Sequence, residues 1–452
     1  MRITPGKIIY APFKNAICNM KFNKISKIIQ KGLADIYATY PKLMPILNAI
    51  DVAGGTAYFV GGVVRDMLLQ KPLKDIDIEV HRLTAEQLEQ LLQKFGTVDE
   101  VGKSFGVFKL YGVDVDWSLP RADSSGRKPK VAIDPHMSVH DAFARRDLTI
   151  NAMEKKKKTE QLVDPFNGLR DLQDNVLRSP NIDFFAQDPL RFFRVMQFMA
   201  RFDMKPNKEL EQLCKTMDVS KVSRERIEQE FNKMLLRSER PSIGLRWLKD
   251  MGRLKEILPE LYETIGVSQK KAYHPEGDVF EHLMQAVDAA AQIQCDDAYQ
   301  KLVLMYAALC HDLGKPAVWQ MVDGDVCSHG HADAGAPIAK KMLKRIVCDK
   351  SLIDTVVKLV RLHMEPLGFI KGDAKKPAYK RLAKKLAPDA NIALLAKLFL
   401  ADRRGRNPEK GKPLKDDFQE VALFLQKAKD AKVEHKQEPQ LLTDIDLLDV
   451  FE

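Results

Sequence analysis

At 452 residues with 45% hydrophobic side chains, the chain exceeds a single hydrophobic core and reads as about two to four domains of roughly 100–200 residues each. Lys and Arg number 72 against 62 Asp and Glu, and the net charge of +10 suits a polyanionic partner better than a neutral or cationic one. No apolar run reaches the ~18–20 residues of a membrane span, and the six cysteines hold no C-x-x-C pair; these features exclude helical membrane insertion and a disulfide framework, and predict reduced thiols in a cytoplasmic protein.

The first 50 residues have no acidic residue before Asp35 and carry seven Lys or Arg up to that point. Three readings compete: an organellar transit sequence, an RNA-contacting arm, and a basic amphipathic helix packed on the domain that follows. Apolar residues at helical spacing from Ile25 to Ile50 favour the last, and no cleavage-site pattern supports targeting.

Next comes an apolar strand, Tyr58-Phe-Val60, that ends at Gly61-Gly62 and opens directly into a helix. Backbone N–H groups at such a turn face outward at the positive end of a helix dipole, where a triphosphate fits. In the following strand Ile76, Ile78 and Val80 alternate with Asp75, Asp77 and Glu79, so the acidic residues are expected on one face. Side-by-side carboxylates are hard oxygen ligands suited to Mg²⁺. A helix is expected around Thr84 to Phe95. A second strand repeats the acidic alternation, with Val113, Val115 and Trp117 against Asp114 and Asp116, and Asp116 is a candidate third ligand. Either strand alone reads as half-exposed sheet; both together behind a Gly-Gly turn favour nucleotide chemistry.

The polar segment Arg121-Ala-Asp-Ser-Ser-Gly-Arg-Lys128 reads as a loop, and Lys155 to Lys158 as a solvated hairpin turn. Between them, Arg145-Arg146-Asp147 offers guanidinium groups for phosphate oxygens and a carboxylate for ribose hydroxyls. From about residue 181 strand patterning stops and helical patterning runs to the end. Asp188-Pro-Leu-Arg191 opens a helix with an acid and a base on one face, either pairing with each other or imitating a base-pairing edge toward C or A. Six of the ten histidines then fall between His274 and His363, one of them in the adjacent pair His311-Asp312. Basic side chains from Lys375 to Lys385 offer phosphate contacts or a solvated face.

Val60-Gly-Gly-Val-Val-Arg-Asp-Met-Leu-Leu69, Asp75-Ile-Asp77, Arg145-Arg-Asp-Leu-Thr-Ile-Asn-Ala152, Asp164-Pro-Phe-Asn-Gly168 and Asp188-Pro-Leu-Arg191 resemble, in order, the motifs of class II tRNA nucleotidyltransferases and bacterial poly(A) polymerases. The resemblance implies a polymerase-β-like α/β nucleotidyltransferase head followed by an all-α neck and body, with template-independent addition of CCA to tRNA from CTP and ATP. It implies Mg²⁺ on Asp75 and Asp77 with Asp116 assisting. Nucleotide contacts are implied for Gly61, Gly62, Arg65, Arg145, Arg146, Asp147, Asp188, Arg191 and Arg194. His282, His311-Asp312 and Asp402 resemble the His…His-Asp…Asp pattern of HD phosphohydrolases, which implies a divalent transition metal and phosphoesterase activity. His329, His331 and His363 stand as further ligands for phosphate or a second metal.

The expected domains are a basic extension (1–50), the head (51–178), a helical neck (179–268), an all-α HD domain (269–405) and a helical tail (406–452). The chain departs from the resemblance at Gln187, where Glu is usual, at Gln197, where Arg is usual, and at Gln70, where Gly commonly ends the first motif. These changes bear on base selectivity and keep poly(A) synthesis, or partial CC- or A-addition, as alternatives. A catalytically silent RNA-binding protein is the alternative of another class. The close at Leu447 to Glu452 comes earlier than the resemblance implies, and oligomeric state is not readable.

Overall fold

The computed structural model describes residues 22–73, 75–99, 106–123, 131–156, 162–407 and 418–435. The chain divides into two compact units: one runs through residue 195 and takes 202–219, the other takes 196–201 and everything from 220. Among the described residues no helix is long and apolar enough to cross a membrane.

The first unit opens with α1 (Phe22–Thr39) and α2 (Leu43–Val52). The apolar periodicity over 25–50 is thus divided between two helices, because Pro41 restrains the preceding residue away from helical geometry and offers no N–H of its own. Ile25, Ile29, Leu33 and Ile36 form the buried stripe of α1. Next in chain order are β1 (Thr56–Val60), α3 (Gly62–Leu68), β2 (Ile76–His81), α4 (Ala85–Gln93), β3 (Val98–Asp99), β4 (Val107–Leu110), β5 (Val113–Ser118), β6 (Arg121–Asp123) and β7 (Val131–Ile133). The unit continues through α5 (Val139–Ala144), β8 (Glu154–Lys156), β9 (Leu162–Val163), α6 (Gly168–Asp174), β10 (Val176–Leu177), α7 (Ile182–Ala186), the first part of α8 (Leu190–Phe202), β11 (Lys205–Pro206) and α9 (Lys208–Thr216).

Seven strands make one sheet in the order β3-β4-β5-β2-β1-β8-β9. β2 and β5 run parallel, and the other pairs are antiparallel. Ile76, Ile78, Val80, Val113, Val115 and Trp117 are all buried, so the apolar half of each alternation lies against the interior. Truncating a fully buried Trp such as Trp117 costs about 3–5 kcal/mol, enough to fix the register that also sets the acidic residues. Val60, Ala142, Phe143 and Ala152 form a further buried cluster that ties α5 to the end of β1. α4 begins at a reciprocal cap between Thr84 and Gln87, one residue inside the expected start.

Three expectations change. Lys155 is a buried residue of β8 paired with Phe59, so the solvated turn does not include it, and the rest of that turn, from 157, lies outside the described residues. Of the loop from Arg121, the first three residues form β6, and residues 124–130 lie outside the described residues. Strands also recur beyond residue 181, as β11 and a hairpin in the second unit.

That second unit is helical: α10 (Arg224–Arg237), α11 (Ser242–Asp250), α12 (Leu254–Ile257), α13 (Pro259–Tyr262), α14 (Val279–Ala291), α15 (Ala298–Cys310) and α16 (Lys315–Val318) lead to the hairpin β12 (Gln320–Val322) and β13 (Asp325–Cys327). Its Asp323-Gly324 turn has φ of 53° and 78°, the Asp-Gly signature of a two-residue hairpin. α17 (His331–Ile346), α18 (Lys350–Leu362), α19 (Glu365–Lys371), α20 (Lys376–Leu386), α21 (Ile392–Arg404) and α22 (Phe418–Asp430) complete it. α15 and α21 are buried over Val303–Cys310 and Ile392–Ala401, which places them at the centre of the bundle.

Candidate active and metal sites

In the first unit, β1 delivers Gly61 to the start of α3 with φ of 72°. A Cβ there would lie 3.0 Å from Arg146 Nη1 and 3.8 Å from Asp77 Oδ2, so the absent side chain keeps a space open between a cation and a carboxylate. Asp77 and Asp116 are directly opposite in the parallel β2–β5 register. Asp75 is exposed and precedes the strand, with φ of 54°; it is a left-handed kink, not strand alternation, that sets its direction. Burial pushes the Asp77 carboxyl up to about 6, Asp116 and Asp75 adding repulsion that Arg146 and Lys109 offset in part. Asp116 accepts from Lys109 Nζ at 3.1 Å. The donors are hard oxygens whose mutual repulsion a divalent cation relieves.

Glu79, expected beside these acids on the open face, is buried instead. Its Oε1 lies 3.1 Å from His81 Nε2 and its Oε2 3.4 and 3.6 Å from Arg145 and Arg146. Burial opposes its ionisation, but His81 and the two arginines outweigh burial and hold the carboxyl below its usual range. Glu79 therefore fixes the arginine pair, and the Arg146 guanidinium also lies 4.8 Å from the Phe143 ring. Alternation could not reveal this, because the charged partners come from a segment 66 residues away.

Asp147 is likewise turned inward. One oxygen accepts from Leu148 N (2.8 Å) and Asn151 Nδ2 (3.0 Å), the other from Arg194 Nε (2.6 Å). Despite burial, Arg194 and Asn151 hold its carboxyl at about 2. Asn151 in turn accepts from Arg65 Nη1 at 2.5 Å, and Arg65 donates to Asp66 at 2.8 Å. The result is a buried chain, Arg65–Asn151–Asp147–Arg194, joining α3 to α8. The carboxylate read as a ribose contact has its acceptor sites occupied within the fold, and Arg65 is 5% exposed. Arg191 donates to the carbonyls of Phe184 (2.8 Å) and Arg145 (2.7 Å), while Asp188 accepts from Leu190 N at 3.1 Å at the start of α8. Gln187 caps α7, and Gln197, in the second unit, is buried and accepts from Arg201 at 3.2 Å.

The second unit gathers imidazoles from four helices and a carboxylate from a fifth. His282 comes from α14, His311 and Asp312 follow α15, His331 begins α17, His363 follows α18, and Asp402 lies near the end of α21. Each ring offers Nδ1 to an acceptor: His282 to Glu276 (2.8 Å) and Gly405 O (3.1 Å), His311 to Ala308 O (2.9 Å), His331 to Ser328 O (2.8 Å) and His363 to Val360 O (2.6 Å). Those acceptors hold an N–H at Nδ1 of each ring and turn Nε2 toward the space the rings share.

The Nε2 atoms of His282 and His311 are 3.1 Å apart, and so are those of His331 and His363. Asp402 lies 3.2 Å from His282, and Asp312 sits between the pairs, 3.5 Å from His282 and His311 through Oδ2 and 3.2 Å from His331 through Oδ1. Facing ring nitrogens and carboxylates in a buried space form two candidate metal groups, His282/His311/Asp402 and Asp312/His331/His363, and His274, Glu276 and His282 form a third on the Nδ1 side of His282. Burial lowers His311, and lowers His363 to about 3, while Asp402 and Glu276 overcome burial at His282 and raise it to about 9. Asp312 and Asp402 are held well below the carboxylate range despite burial, Asp312 chiefly by Lys315 and Asp402 chiefly by His282. Lys315 Nζ is 2.6 Å from Asp312. A cavity of about 1050 Å³ opens on this cluster, lined by His274, His329, Tyr273 and Arg361 among others. His329 is exposed and belongs to none of the three groups. Gly405 allows the close approach: a Cβ there would meet Ala286 N of α14 at 2.8 Å. His274 and Glu276 were not singled out from sequence as ligating residues, although both lie in the short segment just ahead of His282.

Residues 57–178 match the Poly A polymerase head domain, 203–264 the Probable RNA and SrmB-binding site of polymerase A, and 279–407 the HD domain. A Multifunctional CCA protein of Xanthomonas campestris pv. campestris (strain B100) is 32% identical over 405 residues, covering 85% of this chain and 94% of that one. One from Mannheimia succiniciproducens is 34% identical over 304 residues, covering 64% and 69%. Among solved structures, the Thermotoga maritima CCA-adding enzyme complexed with tRNA is similar with a TM-score of 0.54 at 20% identity, covering 89% of this chain and 84% of that one. A CCA-adding enzyme with CTP is similar at 0.54 and 19%, covering 93% and 88%. These two likenesses show the fold.

Proposed function

The chain belongs to the multifunctional CCA protein family, and from that premise we propose that its first unit adds C, C and A to tRNA 3′ ends from CTP and ATP, in the cytoplasm, while its second unit is a metal-dependent phosphoesterase. The observation that carries the first reading is the register of Asp77 opposite Asp116, beside the space that Gly61 leaves open. Asp75 and Asp77 would hold Mg²⁺, with Asp116 completing the set; a bound cation there would neutralise triphosphate oxygens and make the attacking hydroxyl more acidic. Arg146, fixed by Glu79 and Phe143, is aimed at the space beside Gly61 and binds phosphate there. The tRNA 3′ oxygen bonds to the α-phosphorus as the bond to the β-phosphate oxygen breaks, and pyrophosphate leaves. Asp147 orients Arg194, and Asp188 with Arg191 presents a protein edge to the base in place of a template.

Purified protein incubated with tRNA lacking its 3′ end and single labelled nucleotides tests this. Ordered incorporation of C, C and A that then stops is the expected result. An open-ended A tract makes the protein a poly(A) polymerase, and no incorporation makes it an RNA-binding protein.

The phosphoesterase reading rests on the four converging Nε2 atoms and on Asp312 between them. His282, His311 and Asp402 would hold one divalent transition metal, and Asp312, His331 and His363 a second. Such an ion lowers the pKa of bound water for attack on a phosphate ester. Lys315, which donates to Asp312 and lines the cavity, is placed to meet phosphate oxygens.

A further inference from the structure

The buried acid Glu276 lies outside the His…His-Asp…Asp pattern, yet it touches both a ligating ring and the cavity wall. Its side chain has no solvent exposure, and Oε1 sits 2.8 Å from His282 Nδ1 and 2.9 Å from His274 Nδ1. One carboxylate oxygen thus accepts from two imidazoles whose rings meet edge to face, with centroids 4.8 Å apart. Glu276 is the only carboxylate among the Nδ1 acceptors of the ligating rings given above; the others are backbone carbonyls. A carboxylate behind a ligating imidazole fixes its tautomer and strengthens its lone pair, and losing such a partner costs about 10–100-fold in metal affinity. The second ring it holds, His274, lines the cavity with its side chain 19% exposed. With Nδ1 committed to Glu276, Nε2 is the polar atom that His274 has left for a molecule in that cavity.

We infer that Glu276 is a positioning residue that locks His282 toward the metal and His274 toward the phosphate of the substrate, so that one buried carboxylate aligns both sides of the centre. The inference rests on the phosphoesterase reading. Glu276 accepts two N–H bonds, and His274 donates one and keeps Nε2 as an acceptor for a proton carried by an oxygen of the substrate phosphate.

The test uses the full-length protein with Mn²⁺ alone, titrated calorimetrically after the protein has been stripped with chelator. Glu276→Gln keeps the shape and loses the charge, and should weaken Mn²⁺ binding about tenfold; Glu276→Ala should weaken it up to about a hundredfold. A wild-type circular dichroism spectrum and melting curve report that both variants are folded, since nucleotide addition depends on the other unit. His274→Ala should bind Mn²⁺ within about twofold of wild type but lose about tenfold in inhibition by inorganic phosphate. Wild-type Mn²⁺ affinity in a folded Glu276→Ala protein overturns the positioning role while leaving the metal centre standing. Loss of Mn²⁺ in His274→Ala equal to that in Glu276→Ala makes His274 a ligand and overturns its place on the substrate side. Mn²⁺ binding that is the same in wild type and His311→Ala overturns the phosphoesterase reading itself, and this inference with it.

Discussion

A half-buried and a buried aspartate in the first unit carry opposite electrostatic signs, and the difference separates a ligand from a strut. The Asp77 carboxyl, raised to about 6 by burial and by its acidic neighbours, is destabilising when ionised without a cation; its favourable contribution is present at low pH and is lost as pH rises through about 6. Asp77→Asn should therefore leave the melting temperature of the metal-free protein unchanged or higher at pH 7, while nucleotide addition falls at least about a hundredfold. A lower melting temperature with retained addition would show Asp77 to be structural. Asp147 runs the other way. Its carboxyl lies at about 2 in the fold against 3.8 ordinarily, so its contribution is present above pH 3.8 and is lost as pH falls through about 2. That shift corresponds to roughly 2 kcal/mol, and Asp147→Asn should lose about that much in denaturant unfolding at pH 7, with the difference from wild type shrinking as the pH is lowered toward 2. The sequence made both residues visible as acids in the right motifs. It could not separate their roles, because residue type and spacing are silent on whether Arg194 and Asn151 fill the lone pairs of Asp147. The same silence placed Glu79 on the open face.

At the scale of elements, the turns decide where the acids stand. α3 ends in a Schellman motif, with Lys71 N bonded to Asp66 O and Gln70 N to Met67 O, both at 2.9 Å, and Gln70 occupies its left-handed position with φ of 53°. That geometry is a physical reason for the glycine that the family motif led one to expect there. Gln70 is exposed, so replacing it trades no packing. Relief of the left-handed strain exceeds the added entropy of the unfolded chain, and Gln70→Gly should raise stability by about 0.5–1 kcal/mol, read as an increase in the denaturant midpoint. Helix starts and the Asp323-Gly324 hairpin had local signals in the sequence, as did the alternation that gives β2 and β5 each an apolar buried face. The order β3-β4-β5-β2-β1-β8-β9 had none, since it arises from pairing between segments far apart in the chain. Asp75 shows the limit most plainly: the alternation reaches it on paper, whereas the strand begins at Ile76 and the backbone at Asp75 turns left-handed.

At the scale of the molecule, each candidate centre draws its side chains from one compact unit. The carboxylates of the head come from β2, β5 and the residue ahead of β2, all within the first unit, and the imidazole cluster comes from α14, α15, α17, α18 and α21 and the residues at their ends, all within the second. No side chain is shared, so removal of one ligand should silence one chemistry. His311 contributes Nε2 to the pair with His282 and donates Nδ1 to Ala308 O within its own helix end, so its loss opens one metal group without unpairing a residue of the first unit. His311→Ala should abolish metal-dependent hydrolysis of a phosphodiester substrate and leave the rate of nucleotide addition within about twofold. Both rates are to be measured on the same preparation, with Mg²⁺ present in the addition assay and a transition metal supplied for hydrolysis. Equal loss of both activities in a variant that melts at the wild-type temperature would mean that the two centres depend on one another, and the division of labour between the units would be wrong.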